Sequence, residues 1–277
     1  MLRAGLFTAI VCCTVHAAEA PEIGQAFGRL YNFDFQGSHR ILDGYIVAHT
    51  LEPLPYAVRA SAYLFSELDR LGILESEFLI DDKRIAAKSK AKEPDPAVRS
   101  RLIKALGDTE SRADATLKAN PEDRQALLAM CIAQGVTTDY MAFVEKHQFL
   151  SLSPAKRSNN YAQRLLKLDP KFYDAYLAAG ISEYLVGSLP FFIRWFVHFE
   201  NVNGSKANGL QNLELVARDG HYLKPFAKIL LGIIALREKR PREAQKLLVE
   251  LSHDYPANPL FHTELAKLNA KLGEDGN

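Results

Sequence analysis

Cysteine is scarce in this chain. There are three in 277 residues, and Cys12 and Cys13 fall in an apolar N-terminal run that is expected to be removed. Cys131 then stands alone, and a lone cysteine forms no internal disulfide. That excludes the small secreted scaffold held together by disulfides. Tryptophan is nearly missing, with Trp195 the only one. A surplus of either charge is missing too, since 34 Lys and Arg face 33 Asp and Glu. So even a balance argues against nucleic acid as the main partner and against strong attraction to an anionic membrane surface. The sequence holds no glycine-rich phosphate loop, no GxSxG elbow and no HExxH pair. Its eight histidines are scattered, so no metal or other cofactor is expected. The chain reads as non-enzymatic.

The first twenty residues have the layout of a secretory signal. Arg3 gives the charged start, and Ala4 to Val15 is an apolar run too short to span a bilayer. Small residues follow, with cleavage expected after Ala17 or after Ala20. The expected location is the bacterial periplasm or beyond. Without Arg3 the charges balance at 33 against 33.

What is abundant is helical periodicity. Ile23, Phe27, Leu30 and Tyr31 share one face of a first helix over Pro21 to Tyr31. Asp34 is placed to cap a second, over about Gly37 to His49. A third is expected from Tyr56 to Leu71. From Leu79 to Pro96 the composition turns charged and is bounded by prolines, which reads as a solvated connection. Beyond it the strongest signal lies between Phe226 and Pro256. Ile229, Leu230, Ile233, Ile234 and Leu236 make one apolar stripe, and Ala244, Leu247, Leu248 and Leu251 make a second. Arg237 to Arg240 and Pro241 mark the turn between them. Gly232 inside the first helix suggests close packing by another backbone, because glycine there costs about 1 kcal/mol against alanine.

Pro121, Pro170 and Pro256 each separate two helices. Ten positions after each comes a small residue: Cys131, Gly180 and Ala266. Gly232 is a fourth member, with Gly220 in place of proline at the preceding turn. This is an internal repeat, with units of roughly 34 to 49 residues. Pro259 to Leu272 reads as a last helix that caps the array, and residues 273–277 as a disordered tail.

Leu231-Gly232, Ala235, Ala244, Leu248 and Pro256 stand at the spacing of a tetratricopeptide repeat, and the chain resembles that family. Gly204 to Leu272, with the turn Tyr255-Pro256-Ala257-Asn258-Pro259, is also similar to helical-repeat proteins of the mitochondrial inclusion-body clearance type. The resemblance implies an all-α fold, a right-handed α-solenoid of helix-turn-helix repeats with a C-terminal capping helix. The expected organisation is a signal over 1–20, N-terminal helical repeats over 21–78, the charged connection over 79–96 and the repeat region over 97–272. The implied function is a scaffold or adaptor that binds another protein.

In peptide-binding members of the family, the residues three before and one after the small position face the concave surface. Carried onto this sequence they are Leu128 and Ile132, Leu177 and Ile181, Ile229 and Ile233, then Thr263 and Lys267. The lysines and asparagines of a carboxylate clamp are not there. Six aliphatic residues either bind an apolar segment of a partner or are covered by the N-terminal helices. Asp174, Tyr184 and Arg237 are the expected rim contacts. The segment from Leu189 to Phe199 carries Phe191, Phe192, Trp195, Phe196 and Phe199. It packs as core, or it forms an aromatic patch for a partner or a membrane surface. Membrane contact through that patch is the alternative function.

Overall fold

The structure is a computed structural model that describes residues 20–80, 92–189 and 202–274. The expected signal, the middle of the charged connection, the aromatic residues Phe191, Phe192, Trp195, Phe196 and Phe199, and the last three residues lie outside the described residues.

The fold is all-α, with no strand among the described residues. The helices are α1 (Pro21–Tyr31), α2 (Phe35–Ala48), α3 (Leu54–Arg70), α4 (Ser76–Leu79), α5 (Pro96–Ala119) and α6 (Arg124–Asp139). They continue as α7 (Leu152–Leu168), α8 (Tyr176–Ser188), α9 (Lys206–Asp219), α10 (Lys224–Arg237), α11 (Pro241–Asp254) and α12 (Pro259–Glu274). A π-helical turn over Tyr140–Val144 prolongs α6, and a 3-10 turn over Tyr173–Ala175 leads into α8.

Local chemistry sets where these helices start and stop. Asp34 accepts from the Gly37 amide at 2.8 Å, and Asp123 accepts from the Ala126 amide at 2.8 Å. Ser205 accepts from the Asn208 amide at 3.2 Å. Each such cap is worth about 1 kcal/mol, because the first amides of a helix have no partner within it. Asp95 caps α5 in the same way, through the Ala97 amide at 2.7 Å. Proline fills the first turn of α1, α3, α5, α10 and α11, where its missing amide is not needed. At the C-terminal ends of α1 and α10, Phe33 and Lys239 adopt φ of 60° and 58°. The chain then folds back, with Asp34 N bonded to Arg29 O at 2.9 Å and Arg240 N to Ala235 O at 2.7 Å.

From α6 onward each helix packs on the one before it, through α7, α8, α9, α10, α11 and α12. Helix α3 lies across both α5 and α6. The break at the charged connection is therefore one of sequence and not of packing. A single core cluster runs from Ile23 in α1 to Ile234 in α10. The run Arg124–Val144 is long and apolar enough to cross a membrane, at mean hydropathy 1.4, but most of it is buried within the fold.

Helices α8 and α9 approach each other closely. A Cβ added to Gly180 would stand 3.0 Å from the Gly209 carbonyl oxygen, and one added to Gly209 would stand 2.8 Å from Tyr184 Cα. The small residue expected at position 180 is thus required by backbone approach. At Gly232 the expectation is overturned, since a Cβ there would meet nothing within 4 Å. Gly232 lines a notch of about 50 Å³ together with Leu236, Leu247, Leu248 and Leu260. Ala266 is exposed on α12 and separates no helices.

The N-terminal helices reach the far end of the array. The Tyr31 hydroxyl donates to Tyr222 O at 3.0 Å, and Asn258 Nδ2 donates to Tyr31 O at 2.8 Å. The Phe27 ring stacks on Tyr222 at 5.1 Å, and the Tyr31 ring meets Tyr255 at 5.4 Å. Farther along, the Ser76 hydroxyl donates to the Glu264 carboxylate, and Arg237 Nη1 donates to Leu79 O at 2.9 Å.

Candidate functional site: an internal apolar cavity

Helices α1 and α3 settle onto the inner sides of α6, α8 and α10 without filling the space between them. A cavity of about 120 Å³ remains. A cavity near 150 Å³ lined by apolar side chains accommodates a molecule the size of benzene. Phe27, Leu30 and Tyr31 of α1 and Ser61, Leu64 and Phe65 of α3 form one wall. Ile132, Val136, Leu177 and Ile181 form the opposite wall, and Phe226 closes one side. The Phe65 and Phe226 rings meet edge to face at 5.6 Å, a favoured aromatic geometry.

Three of the expected concave-face residues, Ile132, Leu177 and Ile181, come together on this cavity. Leu128 does not, because it is fully buried in the core and cannot reach a partner. Ile229 and Ile233 line the separate notch under α12. Thr263 and Lys267 are exposed on α12. The inner face is therefore not an open channel. The chain's own first and third helices cover most of it.

Two of the three expected rim residues are buried. Asp174 is 4% exposed, and its carboxylate accepts the backbone amides of His221, Tyr222 and Leu223, each at 3.0 Å. It ties the 3-10 turn before α8 to the turn before α10. Burial pushes its pKa up, and the amide hydrogen bonds oppose that rise. Tyr184 is buried, and its hydroxyl donates to Glu238 at 3.2 Å. Arg237 holds the Leu79 carbonyl. As partner contacts Asp174 and Tyr184 are corrected, since both are buried and hydrogen-bonded within the chain; Arg237 is exposed.

One wall residue of the cavity is out of character with the rest. Asp139, the last residue of α6, is half-buried and lines the cavity. Among the described residues its side chain has no hydrogen-bond or ionic partner. Burial pushes its pKa up to about 7, as expected when a carboxylate loses part of its water and gains no counter-charge. The π-helical turn begins at the next residue, and such turns are frequent at functional sites. Sequence reasoning passed over Asp139. The signal was present, since it is the only charged residue between Arg124 and Glu145.

Cys131 also lines the cavity. Burial pushes its thiol up to about 11, so it stays protonated and packs as a small apolar group. The Ser158 hydroxyl beside it donates to Cys131 O at 2.8 Å. Among the described residues no group of three or more His, Cys, Asp or Glu side chains is arranged to hold a metal ion. No family model and no curated protein matches this chain.

Proposed function

We propose that this protein is a non-catalytic binding protein built as a right-handed, tetratricopeptide-like α-solenoid. It works in the exported compartment indicated by its N-terminal run. Its ligand is a small apolar molecule held in the cavity between α1, α3 and the inner faces of α6, α8 and α10. The reading is carried by one observation: concave-face residues Ile132, Leu177 and Ile181 meet Phe27, Leu30 and Phe65 around about 120 Å³ of unfilled apolar space. The pocket is partly open to its surroundings, and its wall is mostly apolar. A retained cavity of this composition fits a ligand pocket, lined mostly by apolar groups with very few polar ones. The order of the packing supports the solenoid, since each helix from α6 to α12 rests on its predecessor. An extended partner segment finds no continuous groove, because Leu128 is buried and α1 lies over the inner face.

The test is titration of the methyl-labelled protein with toluene, followed by NMR. The methyls of Ile132, Leu177 and Ile181 should shift in a saturable way, and Ile181→Trp should abolish the shifts while the protein stays folded. Unshifted cavity methyls, or shifts confined to exposed residues, would sink the proposal.

A further inference from the structure

The polar groups of the cavity wall are nearly all acceptors, which bears on the kind of ligand the cavity selects. Ser61 Oγ donates to Ala57 O at 3.0 Å, and Ser158 Oγ donates to Cys131 O at 2.8 Å. Thr138 Oγ1 donates to Gln134 O at 2.7 Å, and the Tyr31 hydroxyl donates to Tyr222 O at 3.0 Å. These hydroxyl protons are committed to backbone carbonyls, so the groups offer a ligand only lone pairs. Ser182 is the remaining hydroxyl of the wall. No lysine, arginine or histidine stands among the described residues that line the cavity. Asp139 is the one acidic side chain there, and it has no partner within the described protein. A ligand carboxylate or phosphate would meet a carboxylate and lone pairs. A ligand cation would meet its complement.

We propose that the cavity selects a small aromatic or aliphatic amine, with its apolar body against Phe27, Phe65, Ile132 and Ile181 and its ammonium on the Asp139 carboxylate. This deepens the apolar-ligand reading and rests on it. An ammonium would supply the charge-assisted hydrogen bond that Asp139 lacks. It would also relieve the burial that now pushes the carboxyl pKa up to about 7. The titratable groups facing Asp139 across the cavity are Tyr31 of α1 and Cys131 of α6; the wall residues from α3, α7, α8 and α10 carry none. Burial raises Tyr31 well above its ordinary value and Cys131 to about 11, so neither titrates near neutrality. Asp139 alone then sets the pH dependence.

The experiment is isothermal titration calorimetry of the full chain with three near-isosteric probes: 2-phenylethylamine, 2-phenylethanol and phenylacetate. At about pH 8.5 the amine should bind at least about tenfold more tightly than the alcohol, and phenylacetate most weakly. Lowering the pH to about 5.5 should weaken the amine by at least about tenfold, as Asp139 takes up its proton, and leave the alcohol unchanged. Asp139→Asn should remove the amine's advantage and keep alcohol binding. Should that variant fail to fold, the pH series on the native chain decides. If amine and alcohol bind equally at high pH, or their ratio ignores pH, the amine inference is overturned and the apolar cavity stands. If the amine outbinds the alcohol but Asp139→Asn keeps that advantage, the inference is overturned as well. If none of the three binds, both readings fall together.

Discussion

The Tyr31 hydroxyl donates to the Tyr222 carbonyl at 3.0 Å, across 191 residues of chain. This contact fastens the end of the first helix to the turn that opens α10, and both residues are buried. Around it, Phe27 stacks on Tyr222 and Asn258 holds the Tyr31 carbonyl. The lid of the cavity is thus anchored at its C-terminal end by hydrogen bonds that only a folded array supplies. Tyr31→Phe should lower stability by about 1–2 kcal/mol, because a buried carbonyl loses its donor. Thermal unfolding monitored by circular dichroism measures this. A Tm unchanged from that of the native chain would mean that water replaces the hydroxyl and that the fastening is weak.

Asp174 gives the sharpest separation between a binding role and a folding role. Its carboxylate satisfies three buried amides at once. Asp174→Ala should cost roughly 3 kcal/mol or more, since each orphaned buried donor carries a desolvation penalty. Asp174→Asn keeps one acceptor oxygen and should cost less. Denaturant unfolding ranks the three proteins. If Asp174→Ala unfolds like the native chain, the residue is free for a partner after all.

The two repeat glycines should respond in opposite directions. Gly180→Ala puts a methyl 3.0 Å from the Gly209 carbonyl and from Leu213, so α8 and α9 must separate; overpacking of this kind typically costs about 1–3 kcal/mol. Gly232→Ala adds a methyl where nothing lies within 4 Å. It should stabilise by up to about 1 kcal/mol, the helix-propensity difference alone. Paired thermal melts check both. Equal shifts of the same sign would contradict the packing described for the two helices.

The sequence carried the helices well and the site only in part. Periodicity and caps are local properties, and the α1 stripe and the Asp34 cap are where their residues put them; of the expected α10 stripe only Ile234 is buried, and of the α11 stripe Ala244 and Leu251. The repeat spacing marked Gly180 and Gly232 alike, but spacing does not report how far away the neighbouring helix lies. Of the positions that came from the tetratricopeptide resemblance, through their offsets from the small residues, Leu128, Ile229 and Ile233 do not reach the cavity, whereas Ile132, Leu177 and Ile181 do. That α1 would cover them was open, because it depends on contacts such as Tyr31 with Tyr222, far apart along the chain. Asp174 was expected as a rim contact of the groove. Three backbone amides from a turn nearly fifty residues away make it a buried acid, and no local pattern encodes that.

Acid stability offers a test in which two buried groups pull against each other. Burial first, then Arg59, lowers His39 to about 4, and burial raises Asp139 to about 7. For His39 the unfolded chain binds the proton more readily, so its contribution to stability is lost as pH falls from about 6.5 to about 4. For Asp139 the folded chain binds the proton more readily. Its contribution is full below about pH 4 and is lost as pH rises toward 7. Over one pH window the two slopes oppose, and the native chain should show a shallow profile. Asp139→Asn removes one slope, so stability should then climb with pH between about 4 and 6.5. Near pH 8 the variant should exceed the native chain by roughly 1–3 kcal/mol, after allowance for the partial exposure of the carboxyl. His39→Gln should leave the reverse, with stability falling as pH rises across the same range. Urea unfolding of the three proteins at about pH 4, 5.5, 7 and 8 gives the slopes directly. Parallel profiles for Asp139→Asn and the native chain would mean that the carboxylate is solvated, and the electrostatic case for an ammonium in the cavity would go with it.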